Sequence, residues 1–383
     1  MDQNEKMKVL QDLVHIDSVN GNEKTVAEYV QDLLKQHDIE SKIIPLSDDD
    51  TRANLVAEIG SGKPVLAVSG HMDTVDVDKD AWDSDPFELT DKDGKLYGRG
   101  ATDMKSGLAA LAIAMIELKE ANVELNGTIR LLATAGEEVG MQGSEELEKQ
   151  GYMDDVDTLL IAEPSGYLYS YSSKGELNIT FTSEGKAAHS SMPKMGINAI
   201  QQFIDFWSEL KQNLDDYNKT AENKVLGHAV YNVDVIKGGT QANTIPDKLE
   251  ALLNVRTVPE FDNDKVLEII DQTIADFNKQ AEGKISDEVG MQVIAIDGNP
   301  DAKIIDLIKQ ITKKDLGKDI PMIGVPGGTD ASKFLKQHPT GFNSVTFGPG
   351  DPTLAHQTNE YVEKDMYLKF IDMYVELFQA FFK

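Results

Sequence analysis

A histidine and an aspartate follow an apolar run near the start of the chain. The run Val65–Ser69 is followed by Gly-His-Met-Asp-Thr-Val, which contains His71 and Asp73. Residues two apart on an extended chain share a side, so both side chains can face one crevice. A carboxylate often holds the second nitrogen of a metal-binding histidine, and Asp73 could orient His71 in this way. Alone, the pair also fits a strand-end histidine that binds no metal.

A second carboxylate stands at the start of a predicted helix. The segment Gly98–Gly107 reads Gly-Arg-Gly-Ala-Thr-Asp-Met-Lys-Ser-Gly and places Asp103 just before the helical pattern. An aspartate or threonine in that position commonly caps a helix, so capping by Thr102 or Asp103 is the alternative to metal binding.

Two adjacent glutamates lie between glycines after a third apolar run. They are Glu137 and Glu138 in Ala-Gly-Glu-Glu-Val-Gly, which follows residues 128–134. Like charges disfavour each other in a dry site, and a metal ion relieves that conflict. One glutamate can then be a ligand, while the other takes a proton from metal-activated water.

Two further segments offer one ligand each. Glu163 lies in Ile-Ala-Glu-Pro at the end of an apolar strand, and His356 lies in Leu-Ala-His-Gln-Thr-Asn-Glu. The chain has no cysteine, so any metal must be held by oxygen and imidazole nitrogen. Ligand sites in open α/β sheets form outside the carboxyl ends of the strands, where five such segments can meet. Together they predict a metal site more specifically than any one of them.

The elements that position these segments alternate as in an α/β protein. Short apolar runs predict buried strands, and a helix is predicted over 105–121; the strands cover 54–59, 64–69, 128–134 and 158–162. From residue 175 the order becomes strand, helix, two strands, helix and a strand over 290–296, which indicates a split βαβ insertion. We therefore predict one domain over 1–174 and 298–383 and an inserted domain over 175–297.

Length and charge narrow the function classes. A chain of 383 residues exceeds one ordinary core, so two domains are expected. Its 37 lysines and arginines against 66 acidic residues give a net charge of -29, which argues against nucleic acid or a membrane as partner. The amino-terminal residues lack the apolar core of a signal peptide, so a cytoplasmic protein is expected.

With these motifs in order from about His15 to Val375, the sequence resembles the M20 metallopeptidase and deacylase family. The resemblance implies a zinc-exopeptidase-like α/β catalytic domain with a mixed sheet between helices. It also implies an inserted α+β ferredoxin-like domain that serves as a lid and forms a homodimer. Two zinc ions, replaceable by cobalt or manganese, would share Asp103; His71 and Glu163 would complete one site, and Glu138 and His356 the other.

The resemblance also implies catalytic roles. Glu137 corresponds to the family's general base and acid, and Asp73 to the carboxylate behind His71. His189, in the inserted domain, corresponds to a donor for the oxyanion. On the residues alone, a surface histidine in a turn is the alternative for His189. The family carries a cis peptide after the bridging aspartate, here Asp103-Met104.

Substrate recognition is the least specific part of the resemblance. Asn243, Arg256, Gly328 and Thr329 match substrate-binding positions, and an arginine suits a carboxylate. The leading hypothesis is a deacylase of small N-acyl amino acids, either succinyl-diaminopimelate or acetylornithine, and the alternative is an exopeptidase of short peptides. Many desuccinylases carry Gly-Thr-Ser-Asp-Gly-Arg, whereas residues 327–332 read Gly-Gly-Thr-Asp-Ala-Ser, closer to peptidase members. A binding protein without activity should have lost Glu137 or a ligand, and every one of these residues is present.

Overall fold

The computed structural model describes residues 1–46 and 49–383. These residues form two compact units, each described separately below. The first unit comprises residues 1–171, 298–323 and 329–383, and the second comprises residues 172–297 and 324–328. The second unit therefore interrupts the first in the sequence.

The amino-terminal part of the first unit supplies four helices and seven strands. In chain order they are α1 (Gln3–His15), α2 (Glu23–Gln36), β1 (Ser41–Pro45), β2 (Ala53–Gly60), β3 (Val65–His71), β4 (Thr90–Lys92), β5 (Lys95–Tyr97), α3 (Lys105–Glu120), β6 (Thr128–Thr134), α4 (Gln142–Lys149) and β7 (Thr158–Ile161). Strands β3, β6 and β7 are buried along their whole length, as continuous apolar runs predict.

The second unit contains two helices and eight strands. They are β8 (Ser172–Ser173), β9 (Gly175–Glu184), β10 (Ala188–His189), α5 (Ala199–Asn218), β11 (Val230–Gly238), β12 (Thr244–Ile245), β13 (Lys248–Thr257), α6 (Asn263–Asn278), β14 (Lys284–Val293) and β15 (Ile296–Asp297). Four of the strands form an antiparallel sheet in the order β11-β13-β9-β14. Alternate residues of β9 are buried with the apolar faces of α5 and α6, which is the predicted ferredoxin-like arrangement.

The chain then completes the first unit with α7 (Lys303–Leu316), α8 (Ala331–Phe334), β16 (Ser344–Thr346), β17 (Tyr361–Glu363) and α9 (Lys364–Phe381). Its main sheet has the order β1-β2-β6-β3-β7-β16. Strand β2 is antiparallel to both neighbours, and β6, β3, β7 and β16 are mutually parallel. The predicted mixed α/β sheet is confirmed.

Helix α3 forms the centre of the first unit. Thirteen of its residues are buried, so it is apolar on nearly every side. It packs on β3 and β6 and also contacts α1 and α9. Because α3 is packed on nearly every side, the position of its first turn is fixed relative to the sheet. Asp103, which lies just before that turn, is thereby placed beside the sheet.

One strand of the inserted unit differs from the prediction. The sequence predicted a strand over 290–296, whereas β14 covers Lys284–Val293 and β15 only Ile296–Asp297. The pairing of β14 with β9 shifts register between Val289 and Gln292. This irregularity interrupts the alternation of apolar residues, and the polar residues before Gly290 concealed the start of the strand.

Candidate metal centre

The predicted ligands follow neighbouring parallel strands. His71 is the last residue of β3, Glu137 and Glu138 come three and four residues after β6, and Glu163 comes two residues after β7. These three strands are parallel and adjacent in the order β6-β3-β7. Their carboxyl ends therefore meet at one edge of the sheet, where the ligands converge.

The carboxylate of Asp103 lies between the two predicted histidine ligands. Its Oδ1 is 3.0 Å from Nε2 of His71, and its Oδ2 is 3.4 Å from Nε2 of His356. Nε2 of His356 also lies 2.9 Å from Oε1 of Glu138, and Nε2 of His71 lies 3.7 Å from Oε1 of Glu163. Each histidine thus faces one oxygen of Asp103 and one glutamate.

Two groups of side chains are close enough for each to hold one metal ion. His71, Asp103 and Glu138 form one group, and His71, Glu137 and Glu163 form the other. Within each group the potential ligand atoms lie within 4.8 Å of one another. The groupings divide the side chains differently from the pairs that the resemblance implies, because His71 takes part in both. All of these residues nevertheless converge on one cluster.

Helix α3 does not use Asp103 as a cap. Its N-cap residue is Met104, and the hydroxyl of Thr102 donates to the carbonyl oxygen of Tyr361 at 2.5 Å. The capping alternative is therefore wrong. The peptide bond Asp103-Met104 is cis, as the family resemblance implied.

Asp73 joins two of the ligand segments. Its carboxylate accepts the backbone N–H groups of Glu137 at 3.1 Å and Glu138 at 3.0 Å. Nδ1 of His71 lies 3.0 Å from the backbone carbonyl oxygen of Asp73 and 3.5 Å from its carboxylate. A carbonyl oxygen only accepts, so Nδ1 carries a proton and Nε2 points toward the cluster. The carboxylate of Asp73 therefore holds the two glutamates more directly than it holds His71.

Two glycines allow the close approach of these segments. A Cβ atom at Gly107 of α3 would stand 2.3 Å from the carbonyl oxygen of Ala162, next to Glu163. Gly136, just before the two glutamates, has a φ of +71°, which side chains other than glycine rarely adopt. Both positions let the cluster close more tightly than larger residues would.

The charges of the cluster shift the pKa values of its members in opposite directions. Burial raises the pKa of Glu137 well above its ordinary value, and the charge of Glu163 adds to the rise. Burial would lower the pKa of His71, but Glu163, Asp103 and Asp73 together raise it well above its ordinary value. Hydrogen bonds to Asp103 and Glu138 raise the pKa of His356 to about 10.

These shifts describe a buried cluster with an excess of negative charge. Asp103 keeps a lowered pKa despite its burial because both histidines donate to it. Four carboxylates, those of Asp103, Glu137, Glu138 and Glu163, face only two imidazoles, so acidic groups outnumber basic ones even when both imidazoles are protonated. Bound cations would balance that charge, and imidazole with carboxylate ligands is a donor set that zinc accepts. The residues present therefore fit a metal centre.

The predicted oxyanion donor His189 and the predicted substrate-binding residue Asn243 lie in the second unit. His189 is exposed at the end of β10, and its Nδ1 accepts the N–H of Ser191 at 3.2 Å. Strand β10 pairs with β12, and Ser190 N–H donates to the carbonyl oxygen of Asn243 at 3.0 Å. His189 and Asn243 therefore belong to adjacent segments.

Arg256 already has a partner within its own unit. Its Nη1 donates to Oε2 of Glu176 at 2.6 Å on the facing strand β9. A Cβ atom at Gly327 would stand 3.8 Å from the same nitrogen, so the loop 324–328 passes beside Arg256. The side chain of Arg256 is about one third exposed, which leaves room for a further acceptor.

Gly328 and Thr329 lie where the two units divide. Gly328 ends the short loop of the second unit, and Thr329 begins the last part of the first. Thr329 is buried, and its Oγ1 accepts the N–H of Ala331 at 3.3 Å. Among the described contacts, this hydroxyl therefore stabilises the turn that leads into α8.

The sequence did not reveal the roles of Arg99, Glu360 and Asp330. Arg99 and Glu360 are buried and paired at 2.6 Å, and Asp330 is buried with its Oδ2 accepting the hydroxyl of Thr134 at 2.5 Å. All three lie in segments that were selected in the sequence for other residues: Asp103, His356, and Gly328 with Thr329. A charged residue between glycines, as in Gly98-Arg99-Gly100, was the one signal available.

A mixed α/β unit with a cluster of imidazoles and carboxylates at the carboxyl ends of its parallel strands fits the class of metal-dependent hydrolases. Residues 67–380 match the family described as Peptidase family M20/M25/M40, and the chain belongs to this family. The family membership predicted from the motifs is confirmed.

The chain is similar to named proteins over its full length. It is 42% identical to a protein of Staphylococcus epidermidis named probable succinyl-diaminopimelate desuccinylase, with 100% of this chain and 98% of that protein covered. Among solved structures, a Staphylococcus aureus tripeptidase is 23% identical with a TM-score of 0.78, covering 99% of this chain and 98% of that one. A Bacillus subtilis protein described as a dinuclear metal binding peptidase of the M20 family is 16% identical with a TM-score of 0.74, covering 99% and 98%. At these identities the two structures show the shared fold.

Within the residues described, no helix combines the length and the apolar character needed to cross a membrane.

Proposed function

We propose that this chain is a two-metal hydrolase that removes the succinyl group from N-succinyl-diaminopimelate. The position of Asp103 between His71 and His356, with Glu137 beside them, carries the proposed chemistry. The 42% identity over the full chain to a protein named for this reaction supports the choice of substrate.

Two zinc ions are the proposed cofactors, and cobalt or manganese could replace them. Asp103 would contact both ions; His71 and Glu163 would hold one, and Glu138 and His356 the other. Zinc supplies Lewis acidity toward the amide carbonyl and toward water. The interatomic distances support this assignment because each histidine faces both Asp103 and its proposed glutamate.

Glu137 is the proposed general base and acid. Its backbone N–H is held by Asp73, and its side chain belongs to the same cluster as His71 and Glu163. Its raised pKa suits a group that accepts a proton from water and then returns it to the leaving amine. Both transfers are required, because an amide nitrogen must be protonated before it leaves as an amine.

His189 is the proposed donor to the oxyanion, and substrate binding is proposed for Asn243, Arg256, Gly328 and Thr329. A succinyl group ends in a carboxylate, and an arginine can bind a carboxylate through two parallel hydrogen bonds. All four arginines of the chain are held in ion pairs, but the side chains of the three in the first unit are at most 14% exposed, against 35% for Arg256. Arg256 has the partly exposed side chain, so it is the proposed partner of an acidic group on the substrate.

Two further properties stay predictions from the sequence. A homodimer through the inserted domain is one, and a cytoplasmic location with a role in amino-acid biosynthesis is the other.

Exopeptidase activity is the competing function, because residues 327–332 resemble peptidase members more than many desuccinylases. A substrate panel separates the two. Zinc-loaded protein is assayed on N-succinyl-diaminopimelate, N-acetylornithine, and glycine-containing dipeptides and tripeptides. The highest kcat/KM is expected for N-succinyl-diaminopimelate. Turnover of the peptides alone would show that the deacylase proposal is wrong.

The variant Glu137→Gln tests the proposed chemistry independently of the substrate. Glutamine cannot accept the proton, so kcat should fall by roughly 100- to 10,000-fold or more. The zinc content should stay that of the wild type, because Glu137 is not a proposed ligand. Zinc is measured by elemental analysis of the same samples. Turnover close to the wild-type value would exclude Glu137 as the base.

A further inference from the structure

A buried ion pair between Arg99 and Glu360 lies directly behind the metal cluster. Nη1 of Arg99 donates to Oε2 of Glu360 at 2.6 Å, and their side chains are 4% and 0% exposed. Neither side chain is a proposed ligand. The arginine also lies over the ring of Trp82, with 5.3 Å from Cζ to the ring centroid.

Glu360 holds the backbone of the proposed shared ligand. Its Oε1 accepts the N–H groups of Thr102 at 2.8 Å and Asp103 at 2.9 Å. Its own backbone carbonyl accepts the N–H of Gly98 at 3.0 Å. A carboxylate that receives two amides from one turn restricts the orientation of that turn. The Asp103 carboxylate is therefore directed from behind by Glu360.

Arg99 holds the backbone of the opposite ligand. Its Nη2 contacts the carbonyl oxygen of His356 at 3.4 Å, and its Nη1 contacts that of Gln357 at 3.3 Å. His356 has a φ of 63°, a left-handed conformation that non-glycine residues seldom adopt. A loop in that conformation persists when its surroundings hold it, and the guanidinium supplies the donors.

The same guanidinium reaches the loop after β3. Its Nη2 also contacts the carbonyl oxygen of Asp76 at 3.3 Å, five residues beyond His71. One planar side chain thus joins three segments that are distant in sequence, each of which carries a proposed ligand. A rigid fork of donors suits this task better than the single ammonium group of lysine.

Stability alone does not account for such a pair. Buried ion pairs contribute little net stability, because the desolvation of both charges offsets their attraction. Here, however, the other hydrogen bonds of both side chains go to the backbone of ligand segments: Arg99 donates to carbonyl oxygens, and Glu360 accepts N–H groups. We propose that Arg99 and Glu360 are positioning residues that set the separation of Asp103 and His356 and thereby the affinity for the metal pair. The inference rests on the proposed function for the identity of the ligands.

Zinc affinity tests this proposal without any substrate. Competition with a chromophoric chelator is measured for the wild type, Glu360→Gln and Arg99→Lys, beside the melting temperature of the chelator-treated proteins. Arg99→Lys keeps a positive charge beside Glu360 but loses the fork, so it guards against a variant that fails to fold. Zinc affinity is expected to fall by roughly 10- to 100-fold in both variants, as for residues that orient ligands.

The control variant is Glu376→Gln, which removes an exposed ion pair with Lys314 at 2.6 Å. It should keep wild-type zinc affinity. Cobalt-loaded protein supplies a second measurement, because its visible spectrum depends on ligand geometry. The spectrum should change in Arg99→Lys and Glu360→Gln and stay that of the wild type in Glu376→Gln. If Arg99→Lys and Glu360→Gln have lower melting temperatures but zinc affinities within twofold of the wild type, the ion pair only stabilises the fold. The proposal is then wrong. Failure of the wild type to hydrolyse the substrate panel would instead contradict the proposed function.

Discussion

The substitution Asp73→Asn tests how the cluster is held together. The carboxylate of Asp73 is fully buried and accepts two backbone N–H groups, at 3.1 Å from Glu137 and 3.0 Å from Glu138. Asparagine has nearly the same shape, but one of its two terminal atoms becomes a donor. One N–H would then face an NH2 group, and the negative charge near His71 would be lost.

The expected effect follows from these contacts. Loss of one hydrogen bond to a charged group, with a buried amide left unpaired, costs about 3 kcal/mol of unfolding free energy. For a unit of this size that loss lowers the melting temperature by roughly 6 to 12 °C. Zinc affinity should fall by roughly 10- to 100-fold, because the backbone of Glu138 loses the support of the carboxylate and the negative charge beside His71 is removed.

Asp157→Asn is the matched control. Asp73 follows the carboxyl end of β3, whereas Asp157 contacts the amino end of the same strand. Asp157 Oδ2 accepts the N–H of Val65 at 2.8 Å, at the first residue of β3. This variant should lower the melting temperature modestly and leave zinc affinity unchanged. Both proteins are compared by thermal unfolding without metal and by zinc competition. Wild-type zinc affinity in Asp73→Asn, or an equal loss of affinity in both variants, would refute the reasoning.

Two further predictions concern the metal and the second core. Removing metal with a chelator should lower the melting temperature, and added zinc should restore it, since zinc at 1,000 times its Kd contributes about 4 kcal/mol per site; a melting temperature indifferent to zinc would contradict the metal centre. Phe206→Ala should lower the unfolding free energy by about 3 to 5 kcal/mol in urea titrations, because Phe206 is fully buried and packs edge-on against Phe181 and Phe277. Its zinc affinity should match the wild type, since every proposed ligand comes from the other unit, and a matching loss would contradict that division.

Much of the fold could be predicted because its signals are local. Continuous apolar runs such as Val65–Ser69 predicted buried strands, and the order of strands and helices from residue 175 predicted the inserted unit. The strand β14 was misplaced because its pairing with β9 is irregular. Its position is determined by the neighbouring strand rather than by its own pattern of apolar residues, so the sequence contained little information about its ends.

The side chains of the cluster could likewise be predicted, since imidazoles and carboxylates at strand ends are visible as residue types. The contacts that hold these side chains in place could not be predicted. The capping alternative for Asp103 was excluded only by the contacts of Thr102 and by the start of α3 at Lys105. Asp73 was expected to support His71 through its carboxylate, whereas the closest acceptor is its backbone carbonyl oxygen. Contacts between side chain and backbone leave no trace in the pattern of residue types.

This difference between ligands and their supports has a physical cause. A ligand must be one of a few residue types, but any donor or acceptor of suitable reach can hold a backbone amide or carbonyl group. The N–H groups of Asp103 and Glu138 are held by Glu360 and Asp73, which are 257 and 65 residues away in the chain. Such partners are brought together only by the folded sheet and its loops. The affinity of the cluster for metal therefore depends on residues that a search for ligands alone would overlook. Among residues that are not ligands, substitutions of Glu360 and Asp73 should weaken metal binding most, because their carboxylates accept the backbone N–H groups of ligands.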